Sequence, residues 1–562
     1  MQTTSIAQIG FLILFVTLTA APFGRWLGHV FGEPRRKGGR LGRFVCRLWD
    51  VDPDKEQSWQ QFAYSALCFN AMGILASYVL MRCQDLLPFN PAGLPAVPPD
   101  LAFNTAVSFG VNADWQAYGG ETTMSYFTQM AALTVQNFTC AASGIAVLAA
   151  FMRGLSRKSA ATVGNFYADI VRSVLYVLLP FAILFALFMV WQGVPQNLDP
   201  YRDAMTLEGG VQHIALGPVA SQDAMKILGT NGGGFFNANS AHPYESPNPL
   251  VNFLQCWGML FIPASLVFAF GHVIGDRRQG RALFSGMTFL LLAGLLFATW
   301  VECRGNPLFS FITSGGNMEG KEVRFGPAGS ALFEMVTTAT GTGAANASLD
   351  SFTPAGGMVA MLNLMSKEVV FGGVGSGLHG MLMEVLIAVF LAGLMVGRTP
   401  EYVGKKIGVG EMKLVVLVAL IPTMTTLGLA ALSVALPAGA AAITAAGPHG
   451  LSQALYAYLS TTVNNGSAFG GFAANSLYQN SMLGLALLVG RFMVMVPTLA
   501  LAGRLAAMPR IPESPGTLPT HGVFFMGFLI ATILIVGALT FFPVLALGPI
   551  AEHFMLEAGA SF

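Results

Sequence analysis

Long apolar runs separated by short polar ones make up most of this chain. Runs near or above the 20 residues a helix needs to cross a bilayer fall at about 5–23, 61–82, 124–152, 173–193, 250–274, 282–302, 376–397, 414–436, 477–503 and 522–548. They predict an all-α polytopic membrane protein with ten transmembrane helices. Four other stretches, Leu101–Gly110, Ser221–Thr230, Gly329–Thr340 and Leu451–Val463, are too brief to span. Each leads into a Gly/Asn loop, and a long run follows each loop. The chain therefore divides into an additional N-terminal helix with a basic loop (1–60) and four helix–pore loop–helix repeats (61–170, 171–281, 282–412 and 413–510). A C-terminal helix (511–562) closes it.

The loop Thr230-Asn231-Gly232-Gly233-Gly234-Phe235-Phe236 interrupts the apolar pattern most sharply. Three glycines admit positive φ, so the backbone can aim its carbonyls where a helix forbids. At membrane depth an open backbone survives only if it is packed in protein or lines a watery path. Carbonyl coordination of a dehydrated cation is a use that fits. Alone, the loop reads better as a glycine-rich turn at the membrane surface. Its recurrence reverses that balance. Asn464-Asn465-Gly466-Ser467-Ala468-Phe469 repeats the Asn-Gly step and the phenylalanine, Gly341-Thr342-Gly343 is a looser copy, and Asn112-Ala113-Asp114-Trp115-Gln116 is the weakest. Aligning Asp114, Gly232, Gly343 and Gly466 gives a near-constant period of roughly 110–125 residues, longer than solenoid repeats. Four loops can close a ring, and a ring of carbonyls is a filter. The plan resembles a potassium channel built from one chain.

Composition agrees with membrane residence. Of 562 residues, 54% are hydrophobic and 10% charged, against about 25% charged in soluble domains, and mean hydropathy is +0.61. The net charge of +1 points to no nucleic-acid partner. Six scattered cysteines suggest neither a disulfide framework nor zinc. Arg25, Arg35, Arg36, Lys37, Arg40, Arg43 and Arg47 follow the first run, which has no basic residue before it and reads as a retained helix rather than a secretory signal. Further basic loops hold Arg153, Arg157 and Lys158; Arg277, Arg278 and Arg281; Arg398, Lys405, Lys406 and Lys413; and Arg504 and Arg510. By the positive-inside rule these loops are cytoplasmic and both termini lie outside. All four Gly/Asn loops then enter from outside, each short helix aiming its negative carboxyl end at the ring centre.

Three features stand apart. Ser366–Gly377 contains Glu368, Gly372 and Gly373 and makes a poor helix in mid-membrane. It is either a broken helix that gates or redirects a path, or an outer loop before a shorter helix. Arg491 sits in an otherwise apolar run, as an intramembrane functional charge or as a side chain snorkelling to the inner surface. Asp114 is either a carboxylate at the pore mouth or a solvated loop residue. No Walker A loop occurs, nor an Asp-Lys-Thr-Gly-Thr phosphorylation sequence, nor a soluble stretch large enough for a nucleotide domain. Uphill transport on ATP would draw its energy from another polypeptide.

The motifs LTVQNF (Leu133–Phe138), TNGGGFFNANSAHP (Thr230–Pro243), NMEGKEVRFG (Asn317–Gly326), FGGVGSGL (Phe371–Leu378), GRTPEYVGKKI (Gly397–Ile407), GPHG (Gly447–Gly450), NNGSAFGG (Asn464–Gly471) and SPGTLPTHG (Ser514–Gly522) resemble the KdpA family. These are potassium-binding subunits of the Kdp potassium-transporting P-type ATPases, and the resemblance covers nearly the whole length. It implies a prokaryotic plasma-membrane protein that takes K+ from outside and works with a separate P-type subunit, which alone uses ATP. A small single-span accessory subunit, and often a very short fourth peptide, are implied with it. The family pattern places K+ ligands at Asn112, Ala113, Asp114 and Gln116; Thr230, Asn231 and Gly232; Gly341, Thr342 and Gly343; and Asn464, Asn465 and Gly466. Asp114 replaces the expected Asn, and Gly341-Thr342 replaces a common Ser-Cys, which leaves the ligands of repeats one and three open. The resemblance suggests that the ion leaves sideways toward the ATPase, with Glu368, Gly372, Gly373, Arg398 and Arg491 as gating or coupling candidates. A stand-alone potassium channel or ion-coupled symporter is the second reading. A non-transporting scaffold is a third, disfavoured because a scaffold needs no irregular backbone at depth.

Overall fold

A computed structural model describes residues 3–32, 40–308, 315–366, 369–512 and 518–560. Among them are ten helices long and apolar enough to cross a membrane, making this a multi-pass membrane protein. In chain order the elements used here are α1 (Thr3–Gly32), α2 (Trp59–Arg82), α3 (Pro99–Gly110), α4 (Thr128–Ser156), α5 (Phe166–Trp191), α6 (Val219–Leu228), α7 (Pro249–Val273) and α8 (Arg277–Arg304). Then follow α9 (Gly326–Ala339), α10 (Pro354–Met365), α11 (Ser376–Val396), α12 (Val409–Ala435), α13 (Gly447–Thr462), α14 (Leu477–Ala507) and α15 (Val523–Glu557).

Local chemistry starts these helices. The Ser58 hydroxyl accepts from Gln61 N while the Gln61 side chain accepts from Ser58 N, a reciprocal cap for α2. Asn248 and Thr353 cap α7 and α10, each followed by a proline at the first helical position, where its missing N–H costs nothing. The burial pattern sorts the spans. α4 and α7 form the centre, with 89% and 78% of their apolar windows buried, whereas α1 is 22% buried and lies at the rim. α1 is nonetheless held tightly: a Cβ on Gly24 would stand 2.4 Å from the Ser265 carbonyl of α7, so the two backbones meet through glycine.

Several boundaries differ from the hydropathy pattern. α1 runs to Gly32, well beyond its apolar run, carrying Arg25 inside the helix. The third run begins at Thr128, because Gly120–Thr123 forms its own short turn. Two antiparallel hairpins, Arg202–Met205 with Val211–Ile214 and Glu401–Tyr402 with Lys405–Lys406, lie outside the hydrophobic pattern altogether. In the irregular stretch α10 stops at Met365 and α11 starts at Ser376, and Val369–Gly375 between them is buried, unlike a solvated outer loop. Arg35, Arg36, Lys37, Glu368 and part of the Ser514–Gly522 motif lie outside the described residues.

Candidate functional site

The four short helices α3, α6, α9 and α13 end at the four Gly/Asn loops, and the loops share one construction. Counting five residues on from Ser108, Lys226, Thr337 and Ser460, the amides of Ala113, Asn231, Thr342 and Asn465 donate back to those carbonyls at 3.0, 2.9, 3.0 and 2.8 Å. The loop N–H groups are thereby tied to the helix behind them. The backbone then alternates in sign. φ is positive at Asn112 and Asp114, Thr230 and Gly232, Gly341 and Gly343, and Asn464 and Gly466, and negative at the residue between. Alternating handedness turns successive peptide planes so that their carbonyls leave on the same side. Among the described residues, the carbonyls of Ala113, Asn231, Thr342 and Asn465 accept no hydrogen bond, although these residues are buried. Buried carbonyls without a partner require one.

The loops form a closed ring. A Cβ on Gly232 would stand 1.9 Å from the Thr342 carbonyl oxygen, one on Gly343 1.9 Å from that of Asn465, and one on Gly466 1.8 Å from that of Ala113. Loop two meets loop three, three meets four, and four meets one. Loops one and two close the circuit with side chains. Asn112 Nδ2 donates to Thr230 O at 2.8 Å, and Gln116 exchanges two hydrogen bonds with the Gly234 backbone at 2.9 and 2.8 Å. Asn231 Nδ2 donates to Asn112 Oδ1 at 2.7 Å. Asp114 is buried; with its amide oriented to donate, Asn137 reaches Asp114 Oδ2 at 2.8 Å. The solvated-loop reading of Asp114 therefore does not hold.

Buried carboxylates brace the ring from behind. Glu245 accepts from Phe236 N at 2.9 Å and pairs with Lys226 Nζ, which also meets Asp223 at 3.0 Å. Glu334 accepts from Asn346 N and Ala347 N at 2.8 and 3.2 Å. Sequence reasoning passed over Lys226, Glu245 and Glu334. The available signal was a Lys with an Asp three residues before it inside a mostly apolar short helix.

Below the first residues of the loops lies a cavity of about 80 Å³, lined among others by Asn112, Gly341, Gly373, His379, Asn464 and Arg491. It has room for roughly five waters. The broken segment forms part of its wall: Val374 N donates to Thr230 Oγ1 at 2.8 Å, and Gly375 packs against the Gly144 carbonyl. Arg491 lies mid-way along α14, roughly 20 Å of helix from either end. It reaches inward, Nη2 donating to Cys140 O at 3.3 Å. It does not snorkel. Gly372 is buried beside Gly377. Arg398, in contrast, is exposed just past the end of α11, where its amide closes the helix on Gly393 O, and the structure does not bring it to the cavity.

The family model for the potassium-transporting ATPase A subunit, KdpA, matches residues 10–554. The chain is 56% identical over 561 residues to the potassium-transporting ATPase potassium-binding subunit of Rhodospirillum centenum, covering 98% of each. It is 54% identical over 552 residues to the same subunit of Paramagnetospirillum magneticum, again covering 98% of each. The crystal structure of the potassium transporter TrkH from Vibrio parahaemolyticus matches with a TM-score of 0.52 at 16% identity, covering 88% of this chain and 98% of that one. That likeness extends to the fold alone.

Proposed function

This chain belongs to the KdpA family of potassium-transporting ATPase A subunits, and from that premise we propose that its four-loop ring is where K+ is selected. The observation that carries the reading is the set of buried, unpartnered carbonyls of Ala113, Asn231, Thr342 and Asn465 on four loops locked to one another. Such oxygens replace the hydration shell of an entering ion, with number and field strength deciding which ion fits. The N–H ties behind each loop fix those oxygens in advance, so little ordering is left for the ion to impose. Asn112, Gln116, Thr230, Gly232, Gly341, Gly343, Asn464 and Gly466 shape the ring.

The ring opens from outside, with both termini on that side, and the ion then enters the cavity beneath. There the fixed charge of Arg491 opposes a straight passage to the inner face. The break between α10 and α11, with Gly372 and Gly373, supplies a sideways exit toward a P-type ATPase subunit that alone uses ATP. A single-span accessory subunit and a very short peptide complete the assembly in the prokaryotic plasma membrane.

Cation-dependent thermal unfolding of the assembled complex tests the ring. Ligands that bind the native state raise the melting temperature by mass action, so K+ should stabilise at concentrations where Na+ does not. Equal shifts for the two ions would refute a selective site. The chain alone, placed in vesicles, should neither hydrolyse ATP nor carry a sustained K+ flux. Such a flux would favour the stand-alone channel reading.

A further inference from the structure

At the end of the bundle that carries the basic loops, α8 and α15 leave an open groove of about 730 Å³ between them. Its mouth holds Arg278, Arg281 and His521, and its floor is apolar, with Phe289, Met526 and Ile530. The groove is open at glycines just before and within the start of α15. A Cβ on Gly522 or Gly527 would meet no atom within 4 Å. Phe289 is 59% exposed and Val523 92% exposed along its edge, so no other part of the described chain covers the groove.

The mouth carries net positive charge. Arg278 is paired with Asp276 at 3.1 Å, whereas Arg281 is exposed and has no carboxylate partner among the described residues. Both helices also begin here, at Arg277 and Val523, so their positive dipole ends converge on the same spot. From Arg278 to Phe289 the wall of α8 runs ~17 Å at the helical rise, close to the ~15 Å of one hydrocarbon leaflet. A cationic mouth at the membrane surface above an apolar slot one leaflet deep matches one ligand chemistry in both halves. We propose that this groove holds an anionic phospholipid. Its phosphate sits between Arg281 and the two helix starts, and an acyl chain lies along Phe289, Met526 and Ile530. Basic pockets between membrane helices are suited to such headgroups.

Native mass spectrometry of the assembled complex, released from micelles containing equal phosphatidylglycerol and phosphatidylcholine, tests the proposal. The wild-type complex should retain phosphatidylglycerol in preference. Arg281→Gln should cut that preference about fivefold, as expected for one arginine at an anionic surface. Gly527→Phe, which fills the slot without touching a charge, should abolish retention. Lys413→Gln, which removes one positive charge from an exposed position elsewhere in the basic loops, should leave retention unchanged. Unaltered retention in Arg281→Gln and Gly527→Phe overturns the proposal, as does an equal loss in Lys413→Gln, which would mark diffuse surface charge. Loss of a small subunit from Gly527→Phe with its lipid intact also overturns it, because a partner helix would then be the occupant.

Discussion

Gly232→Ala is the sharpest test of the ring. The alanine Cβ would stand 1.9 Å from the Thr342 carbonyl oxygen, where ordinary contact needs 3.4 Å or more, and it would do so at φ +80°. Two penalties follow. Holding an L-residue in the left-handed region costs roughly 1–2 kcal/mol. The overlap itself is relieved only if loops two and three part by more than about 1 Å, and ordered backbone separated that far no longer presents a fixed set of oxygens to an ion. If only the smaller penalty is charged against ion binding, apparent K+ affinity falls about tenfold, since 1.4 kcal/mol is one decade. Discrimination against rubidium and ammonium falls with it, because a widened ring matches no single radius. The assay is cation-stimulated ATPase activity of the assembled complex, with assembly checked by size-exclusion chromatography. Gly343→Ala and Gly466→Ala, whose added carbons would stand 1.9 and 1.8 Å from the next carbonyl round the ring, should behave alike. Gly428→Ala, where no atom lies within 4 Å, is the control. Unchanged affinity and selectivity in Gly232→Ala would falsify the assignment of this loop.

Arg491→Gln should impair K+ uptake with the complex intact, and Arg491→Lys should do less harm; wild-type uptake in the Gln variant removes Arg491 from the path. A single cysteine at the exposed Asp54 position, in a cysteine-free background, should react with impermeant thiol reagents only once the inner face is opened. Labelling in intact cells reverses the orientation. His449 lies between Asp350 and Glu552, at 3.1 and 2.8 Å, and although burial pulls its pKa down, hydrogen bonds to both carboxylates push it up to about 10. A raised folded-state pKa stabilises fully below the ordinary value of 6.5 and is lost as pH climbs through about 10. The melting-temperature gap between wild type and His449→Gln should therefore be widest on the acid side and close by about pH 10; a constant gap contradicts the ion-pair account.

The spans were legible because a 20-residue apolar run has few other uses in a chain this hydrophobic. The alignment of Asp114 with Gly232, Gly343 and Gly466 was legible because left-handed backbone restricts residue choice, and each of the four does take positive φ. Contacts between loops were not. Gly232 touches Thr342 and Gly466 touches Ala113 through backbone atoms, which leave no mark on side-chain pattern at a separation of more than 100 residues. The buried pair of Lys226 with Glu245 was hidden for a related reason: hydropathy scores each residue alone, and a lysine in a short helix between two spans looks like a solvated outer charge. Arg398 shows the same limit, since its place in a family motif says nothing about depth, and it lies exposed past the end of α11.

Asp114 shows how the ring absorbs its one irregular member. The other three residues at this position are glycines, and each abuts a carbonyl so closely that no side chain fits. Asp114 carries a Cβ at φ +50°, which an aspartate tolerates better than most residues. The compensation lies in the next loop. Gly233 also takes positive φ, and a Cβ there would come within 3.0 Å of the Asp114 Cβ and 3.2 Å of its carbonyl oxygen. The extra glycine in Gly232-Gly233-Gly234 thus answers a residue 119 positions earlier. That explains the second glycine of this loop, at a position that Ser467 fills in the fourth. The first two glycines of the run are then two features overlaid. Gly232 belongs to the repeated ring, and Gly233 makes room for a carboxylate that the other repeats lack.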